Sequence, residues 1–288
     1  MTGAWKPGGA AAALEGALTA VLGSDDPPVS RRTLKVVGSP RAQRRVEAVA
    51  LRSGRRLIVK LRNDRAVCRE ALFYAHLLAP RGAPTPAYLG QARTQEGWLA
   101  LVIEEIPGRP ASTEPGDVQQ AMAALARVHA AFEGTSVAEV LGRSAPDALR
   151  REAQPDPIDR EALMAAIATP GTHTGGRDEE RLWDVADRLA AEPLVLDPGD
   201  VRPENFIFAR DRVYLIDFEN AALRRRALAL AAMLPNWPDP ELVLTAYRVA
   251  AAVCSRFPLD AGALHAARWW LSAAHRPGEE RPREEGPT

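Results

Sequence analysis

The stretch LVLDPGDVRPENFIFARDRVYLIDFE, residues 194–219, holds most of the residues from which a fold and a function can be argued. Its first apolar run stops at the Asp-Pro-Gly turn of residues 197–199, which predicts a short buried strand followed by a tight turn. Two further apolar runs, 206–208 and 213–216, flank a second turn and predict a hairpin. The stretch therefore predicts a strand, a loop and a hairpin, in that order.

Three polar side chains stand where these predicted elements meet: Asp200 on the loop, Asn205 at the start of the hairpin and Asp217 at its end. Magnesium binds one or two carboxylate or amide oxygens together with substrate phosphates and water. A loop carboxylate can accept the proton of an attacking hydroxyl group. The spacing is therefore typical of a phosphoryl-transfer site. A simpler interpretation stays open for each fragment alone, with residues 197–200 forming only a turn and Asp217 only ending a strand.

The composition suits a globular protein of one large or two smaller domains. The chain has 288 residues, of which 46% are hydrophobic and 26% charged. Lys plus Arg and Asp plus Glu each number 37, so no overall field attracts nucleic acid or an anionic membrane, and neither is an expected partner. Cys68 and Cys254 lack partners at metal-ligand spacing, and no signal peptide or membrane-length apolar run is evident. Reduced thiols and a cytoplasmic location are therefore expected.

The first third of the chain predicts an antiparallel sheet. Residues 10–22 form a predicted helix within an N-terminal extension, residues 1–30. Three strand candidates then form a meander: residues 33–37, 46–51 and 57–61. A second predicted hairpin pairs residues 86–92 with 98–104 and leads into an extended segment. The free backbone N–H and C=O groups of that segment match a purine edge, and an ordinary interdomain linker is a compatible alternative.

Lys60 is unusual because a cation occupies a central strand position chiefly when it points toward an anion. The helix predicted from residues 63 to 79 carries Glu70 near its start. A strand lysine and a helix glutamate at this separation can form an ion pair, which would hold the ammonium group against nucleotide phosphates. The alternatives are a snorkelling edge lysine and an exposed helix glutamate.

After residue 115 the pattern changes to helices, at residues 117–132, 227–234, 239–257 and 260–274. His129 is predicted to be a packed helix residue because no second metal ligand follows four positions later. Acidic residues 178–180 fit the start of a helix, where negative charge complements the dipole. The predicted architecture is thus α+β, with a sheet lobe at 31–106, a helical lobe with both loops at 107–275 and a disordered tail at 276–288.

In their order, Lys60, Glu70, the EEIPG segment, DPGDVRPEN and LIDFE resemble the motifs of the aminoglycoside phosphotransferase and choline kinase family, small-molecule relatives of protein kinases. The match covers residues 33–235 in motif order. It implies a two-lobed, protein-kinase-like fold with an antiparallel sheet in the first lobe. It also implies ATP or GTP and Mg²⁺ as cofactors.

The resemblance implies a role for each matching residue. Asp200 would be the catalytic base, and Asn205 and Asp217 would bind magnesium. Lys60 would anchor the nucleotide phosphates, with Glu70 as its partner.

The remaining nucleotide-binding residues are also implied by the resemblance. Glu104, Glu105 and Ile106 would form the hinge that binds adenine. Gly38 and Ser39 would lie in the loop that covers the nucleotide, although this loop has only one glycine.

The sequence therefore predicts a kinase that transfers the γ-phosphoryl group of a nucleotide to a hydroxyl of a small molecule, acting as a monomer or homodimer. Two departures from the family pattern keep a catalytically silent nucleotide-binding protein or scaffold open as a second hypothesis. Pro198 replaces the histidine before Gly-Asp, and Ala229 replaces an aspartate that supports the catalytic loop.

The acceptor is open at this stage, as is any role in antibiotic resistance. Glu219, Asp239 and Glu241 would attract a polycationic aminoglycoside. The arginines at 224–226 would repel it, and the sequence does not rank these effects.

Overall fold

The computed structural model describes residues 9–38, 43–62, 69–94, 97–142, 146–152, 184, 187–210 and 212–274. The predictions for acidic residues 178–180 and for the tail at 276–288 lie outside these ranges. The sheet lobe contains α1 (Gly9–Leu22), β1 (Pro28–Val37), β2 (Arg44–Leu51), β3 (Arg56–Arg62), β4 (Tyr88–Arg93) and β5 (Leu99–Glu104). Its five strands are antiparallel in the order β1-β2-β3-β5-β4, which confirms the predicted meander and second hairpin.

Strand β3 shows why the two faces of this sheet differ. Leu57, Val59 and Leu61 alternate along it and are buried in a core with α1, whose Leu14 and Leu18 are buried there too. Because successive strand residues point to opposite faces, the residues between them face the helical half of the molecule. Lys60 and Arg62 therefore lie on the same face of the sheet. The domain boundary at residue 30 stays a prediction.

A short helix follows β3 and carries Glu70. It consists of α2 (Arg69–Phe73) and a wider π-helical turn (Tyr74–Leu78). These residues lie within the helix predicted from 63 to 79, whose first turn falls outside the described residues. Glu70 is buried, with 4% of its surface exposed. A buried carboxylate requires a cation or hydrogen-bond donors close by.

The second lobe combines helices with two small sheets. Its elements are β6 (Arg109–Pro110), α3 (Pro115–Ala131), α4 (Val137–Leu141), α5 (Asp147–Glu152), β7 (Leu194–Asp197), β8 (Phe206–Ala209), β9 (Arg212–Leu215), β10 (Ala222–Arg225), α6 (Arg226–Met233), α7 (Pro240–Cys254) and α8 (Ala261–Ala274). β8 and β9 form the predicted hairpin, and β7 is fully buried and pairs with β10. The predicted α+β, two-lobed class is confirmed. No helix among the described residues is long and apolar enough to cross a membrane.

His129 is packed inside the second lobe, as predicted. Its Nδ1 shares a 2.8 Å hydrogen bond with the hydroxyl of Tyr247 on α7, and the side chain is buried. Burial first, and the charge of Arg226 second, lower the pKa of His129 from 6.5 to about 3.

This depressed pKa predicts acid sensitivity. Between pH 6.5 and 3 the unfolded chain binds a proton that the folded chain does not, so His129 makes the free energy of unfolding fall as pH falls. The contribution is about 1.4 kcal/mol per pH unit. Urea denaturation at several pH values is expected to show a shallower slope for His129→Gln than for the wild type. The exposed His265, changed to Gln, is the control, and equal slopes for His129→Gln and wild type would contradict the prediction.

Candidate active site

A cavity of about 540 Å³ lies between the cleft face of the sheet and the hairpin of the second lobe. Lys60 and Ile103 line it from the sheet, and Ile207, Ile216 and Asp217 line it from the hairpin. Half of the twenty residues that line it are apolar, and the other half are charged, five of them cationic and five acidic.

Lys60 joins the two lobes at one end of this cavity. Its Nζ donates to both carboxylate oxygens of Glu70, at 2.7 and 2.9 Å, so the predicted ion pair is present. The same ammonium group donates to Oδ1 of Asp217 at 2.9 Å. Burial disfavours the charge, but the two carboxylates outweigh it and raise the pKa of Lys60 above its usual value. The ammonium group is therefore held charged at the centre of the site.

Asp217 has an uncommon backbone conformation that the surrounding contacts maintain. Its φ is 66°, in the left-handed region that residues other than glycine seldom adopt. The next residue, Phe218, donates its N–H to Glu70 Oε1 at 3.1 Å. Its ring is buried against Tyr74, edge to face with centroids 5.8 Å apart. Such conformations concentrate at functional sites, where neighbouring contacts hold the strain.

Asp200 and Asn205 lie on the loop between β7 and β8. Asn205 donates through Nδ2 to the backbone oxygen of Asp200 at 2.7 Å, and its own backbone oxygen accepts the N–H of Ile216 at 3.0 Å. These bonds tie the loop to the residue before Asp217. Arg202 forms an ion pair with the Asp200 carboxylate at 2.7 Å, a contact that the sequence analysis missed. The sequence feature that could have indicated this contact is the arginine two positions after Asp200.

Asp197 and Val201 hold the loop in a way that the sequence analysis did not anticipate. Asp197 is buried, accepts the N–H of Gly199 at 3.0 Å and pairs with Arg224 of β10 at 2.8 Å. Burial is the main cause that raises the pKa of its carboxyl. The backbone oxygen of Val201 accepts the indole N–H of Trp237 at 3.2 Å. These contacts support the loop in this chain, in which Pro198 and the buried Ala229 replace two residues of the family pattern.

Gly199 admits no side chain. Its φ is 83°, and a Cβ there would lie 2.1 Å from the backbone oxygen of Asn220, on the segment after Asp217. Gly199→Ala is therefore expected to push the two loops apart, lower Tm and reduce any phosphoryl-transfer rate at least tenfold. Gly97→Ala is the control, because its φ is 82° but its Cβ would meet open space. Equal activity of the two variants would contradict this prediction.

The arginines at 224–226 make structural contacts with the protein. Arg224 pairs with Asp197, and Arg225 donates to the backbone oxygen of Glu192 at 2.7 Å. Arg226 is fully buried and pairs with Glu133 at 3.0 Å. Their guanidinium groups are therefore engaged inside the second lobe, and the repulsion of a cationic acceptor that the sequence suggested has no support from these contacts.

The three acidic candidates for binding a polycation are also engaged. Glu219 pairs with Arg44 and with Arg62. Asp239 caps α7 by accepting the N–H of Leu242 at 3.0 Å, and Glu241 forms an exposed pair with Arg268 at 3.3 Å.

The predicted hinge begins at the end of β5, where Glu104 lies opposite Leu57, three residues along β3 from Lys60. The backbone N–H of Glu104 donates to the backbone oxygen of Ala87 at 3.0 Å. The backbone N–H of Glu105 donates to the backbone oxygen of Arg56 at 2.9 Å, so both residues continue the hydrogen bonding of the sheet. Ile106 lines the cavity, and its N–H donates to no other described residue. Gly38 follows β1 with a φ of 96°, a conformation that favours glycine, whereas Ser39 lies outside the described residues.

The donor chemistry of Asn205 and Asp217 fits magnesium. The Nδ2 of Asn205 is used in the loop, which leaves Oδ1 available to a cation, and Asp217 supplies a carboxylate. The described residues contain no cluster of three or more His, Cys, Asp or Glu side chains suited to a metal. Magnesium needs none, because it takes one or two protein oxygens and completes its shell with phosphates and water.

Comparisons with solved structures agree with this architecture. Macrolide 2′-phosphotransferase MphH from Brachybacterium faecium is 20% identical, with a TM-score of 0.54 over 89% of this chain and 88% of that chain. Spectinomycin phosphotransferase APH(9)-Ia is 12% identical, with a TM-score of 0.55 over 89% and 83%. Choline kinase LicA from Streptococcus pneumoniae is 15% identical, with a TM-score of 0.52 over 89% and 84%. No curated protein sequence matches the chain significantly.

The two lobes, with the ion-paired lysine between them, define the class of protein-kinase-like folds. The model of the phosphotransferase enzyme family, APH, matches residues 33–270. The chain belongs to this family, as the sequence motifs implied.

Proposed function

We propose that this protein is a kinase that transfers the γ-phosphoryl group of ATP, or GTP, to the hydroxyl group of a small molecule. The observation that carries the proposal is the position of Lys60, whose ammonium group binds Glu70 of the sheet lobe and Asp217 of the second lobe at the end of the cavity. A cation fixed in this way is suited to binding nucleotide phosphates.

Each side chain has a proposed role in this reaction. Asp200 accepts the proton of the attacking hydroxyl, and Lys60, oriented by Glu70, holds the phosphates. Asn205 and Asp217 hold magnesium, which when bound neutralises charge on the transferred group. Catalysis then comes from positioning and from charge stabilisation.

The predicted hinge is proposed to bind the base of the nucleotide. Ile106 lines the cavity with Glu104 and Glu105, and its N–H, which donates to no other described residue, can donate to a purine nitrogen. Gly38 and Ser39 are proposed to cover the phosphates. The proposed nucleotide lobe spans residues 31–106, and residues 107–275 supply the catalytic and metal loops.

The ion pair with Arg202 affects whether the Asp200 carboxylate is available to the acceptor hydroxyl. Its guanidinium occupies one oxygen of the Asp200 carboxylate at 2.7 Å. A phosphorylated nucleotide offers Arg202 a stronger anionic partner, because phosphates accept bidentate hydrogen bonds from arginine. Exchange of partner would release the carboxylate for the acceptor hydroxyl.

The acceptor is proposed to be a small hydroxylated molecule. Members of this fold act on macrolides, spectinomycin and choline, as their names state. These three proteins are at most 20% identical to this chain, so the similarity does not indicate which of these acceptors it uses. We propose that the reaction takes place in the cytoplasm, where nucleotide and magnesium are supplied and thiols such as Cys254 stay reduced.

The proposal is tested by thermal shift and by turnover. Binding of a ligand to the folded protein raises Tm by an amount that grows with the logarithm of the ratio of ligand concentration to Kd. ATP with magnesium is expected to stabilise the protein, and a panel of aminoglycosides, macrolides, amino alcohols and sugars is expected to contain an acceptor that stimulates nucleotide turnover. Stabilisation without turnover on any acceptor would favour the silent nucleotide-binding alternative. No effect of ATP or GTP on Tm would contradict both.

A further inference from the structure

A second ion cluster lies beside Lys60, and no motif predicted it. Arg44 of β2 and Arg62 of β3 both pair with Glu219, two residues after Asp217, with an Arg62 to Glu219 distance of 3.2 Å. The cluster therefore links the sheet lobe to the loop that carries Asp217.

The strand register brings the two guanidinium groups together. Arg44 and Arg62 are directly opposite partners on antiparallel strands. Arg62 follows Lys60 by two residues, which places both on the cleft face of β3. All three cations line the cavity. The part of the cavity near Asp217 thus holds three cations on two adjacent strands, together with the carboxylates of Glu70, Asp217 and Glu219 that pair with them.

Two like charges directly opposite on a sheet destabilise it unless an anion lies between them. Among the described residues, Glu219 supplies one negative charge to the two arginines, with 30% of its side chain exposed. The Arg44 side chain is 47% exposed, and an ion pair at this exposure contributes little to stability, so exchanging Glu219 for another anion at Arg44 carries a small penalty. The geometry suits an anion of higher charge.

Phosphate groups match this geometry better than a carboxylate does. Arginine binds phosphate through paired N–H groups. A triphosphate has several oxygens that can accept hydrogen bonds from two guanidinium groups at once. The sequence between β1 and β2 has Gly38 as its single glycine, so arginine side chains would add to the phosphate contacts proposed for Gly38 and Ser39.

We infer that Arg44 and Arg62 bind the phosphates of the nucleotide, and that Glu219 holds both guanidinium groups in place until the nucleotide enters. This inference rests on the proposed function and adds two residues that discriminate triphosphates from nucleosides. It also gives Glu219 a role distinct from that of Asp217.

The test compares the affinities of Mg·ATP and of adenosine, by calorimetry, in matched variants. Arg62→Met and Arg44→Met are each expected to weaken Mg·ATP binding by roughly tenfold to a hundredfold, as loss of a charge-assisted hydrogen bond does. Adenosine, which has no phosphate, is expected to bind each variant within about twofold of wild type. Arg62→Lys is expected to recover part of the ATP affinity. Glu219→Gln is expected to bind Mg·ATP at least as tightly as wild type.

The control is Arg93→Met. Arg93 is exposed on β4 at the same end of the sheet, since Arg93 and Arg62 both lie opposite Leu99 on β5. It does not line the cavity, and its variant is expected to bind both ligands as wild type does.

The outcomes separate this inference from the proposed function. Wild-type Mg·ATP affinity in both Arg44→Met and Arg62→Met would overturn the inference and leave the kinase proposal standing. Parallel loss of ATP and adenosine binding would overturn it too, because a purely structural latch affects both ligands. Weaker Mg·ATP binding by Glu219→Gln would refute the exchange of Glu219 for the phosphates. A wild-type protein that binds neither Mg·ATP nor Mg·GTP would overturn both proposals.

Discussion

Replacing Asp200 with asparagine is expected to lower kcat for the best acceptor by about 10²- to 10⁴-fold, the range that a positioned general base contributes. Asparagine keeps the shape of the side chain and cannot take the proton of a hydroxyl group. The loop is expected to hold its geometry, because Asn205 bonds to the backbone oxygen of Asp200. Tm and the affinity for Mg·ATP are therefore expected to change little, and the loss to appear in kcat.

A matched control lies on the same loop. Glu204 is exposed, four residues after Asp200, and Glu204→Gln removes one carboxylate charge outside the site. It is expected to keep wild-type kcat in the same coupled assay. Full activity of Asp200→Asn would contradict the proposed role of Asp200 as the catalytic base.

Replacing Lys60 with methionine is expected to impair both stability and activity. Glu70, 4% exposed, would lose its cation and remain near the Asp217 carboxylate. Removing one partner of a buried pair leaves an uncompensated charge and lowers the free energy of unfolding by about 3–5 kcal/mol. Because the Lys60 side chain is 21% exposed, the lower end of this range is expected, measured by urea denaturation.

A double variant separates the two effects of Lys60. Lys60→Met with Glu70→Gln removes both charges and is expected to recover most of the lost stability. Activity is expected to stay lost, because no ammonium group remains to hold the phosphates. Recovery of activity in the double variant, or unchanged stability in Lys60→Met, would contradict the proposed role of Lys60.

The sequence was sufficient for contacts that follow from local pattern. The alternation of β3 places Lys60 on the cleft face, and the turns around residues 197–199 and 210–211 specify the strand and the hairpin between which Asp200 and Asn205 lie. The ion pair between Lys60 and Glu70 was predictable because a strand and the following helix pack together in a fixed way. The roles of these residues stay a prediction.

Contacts between distant segments were not predictable. Arg226 pairs with Glu133, 93 positions earlier, and is fully buried, whereas the sequence suggested only that the arginines at 224–226 would repel a cationic acceptor. The Asp197 to Arg224 pair depends on the register of β7 against β10. Glu219 reaches Arg44 across the cleft, 175 positions away. Each contact depends on how whole elements pack, which a single sequence does not encode in its local pattern.

The most direct test of the central claim is transfer of label from ATP labelled in its terminal phosphoryl group. The wild-type protein, with magnesium and the acceptor that most stimulates turnover, is expected to move the label onto that acceptor. The Asp200→Asn variant is expected to bind the nucleotide and transfer at most about one hundredth as fast. Binding of ATP by the wild type with no labelled product from any member of the acceptor panel would contradict the claim that this site transfers a phosphoryl group.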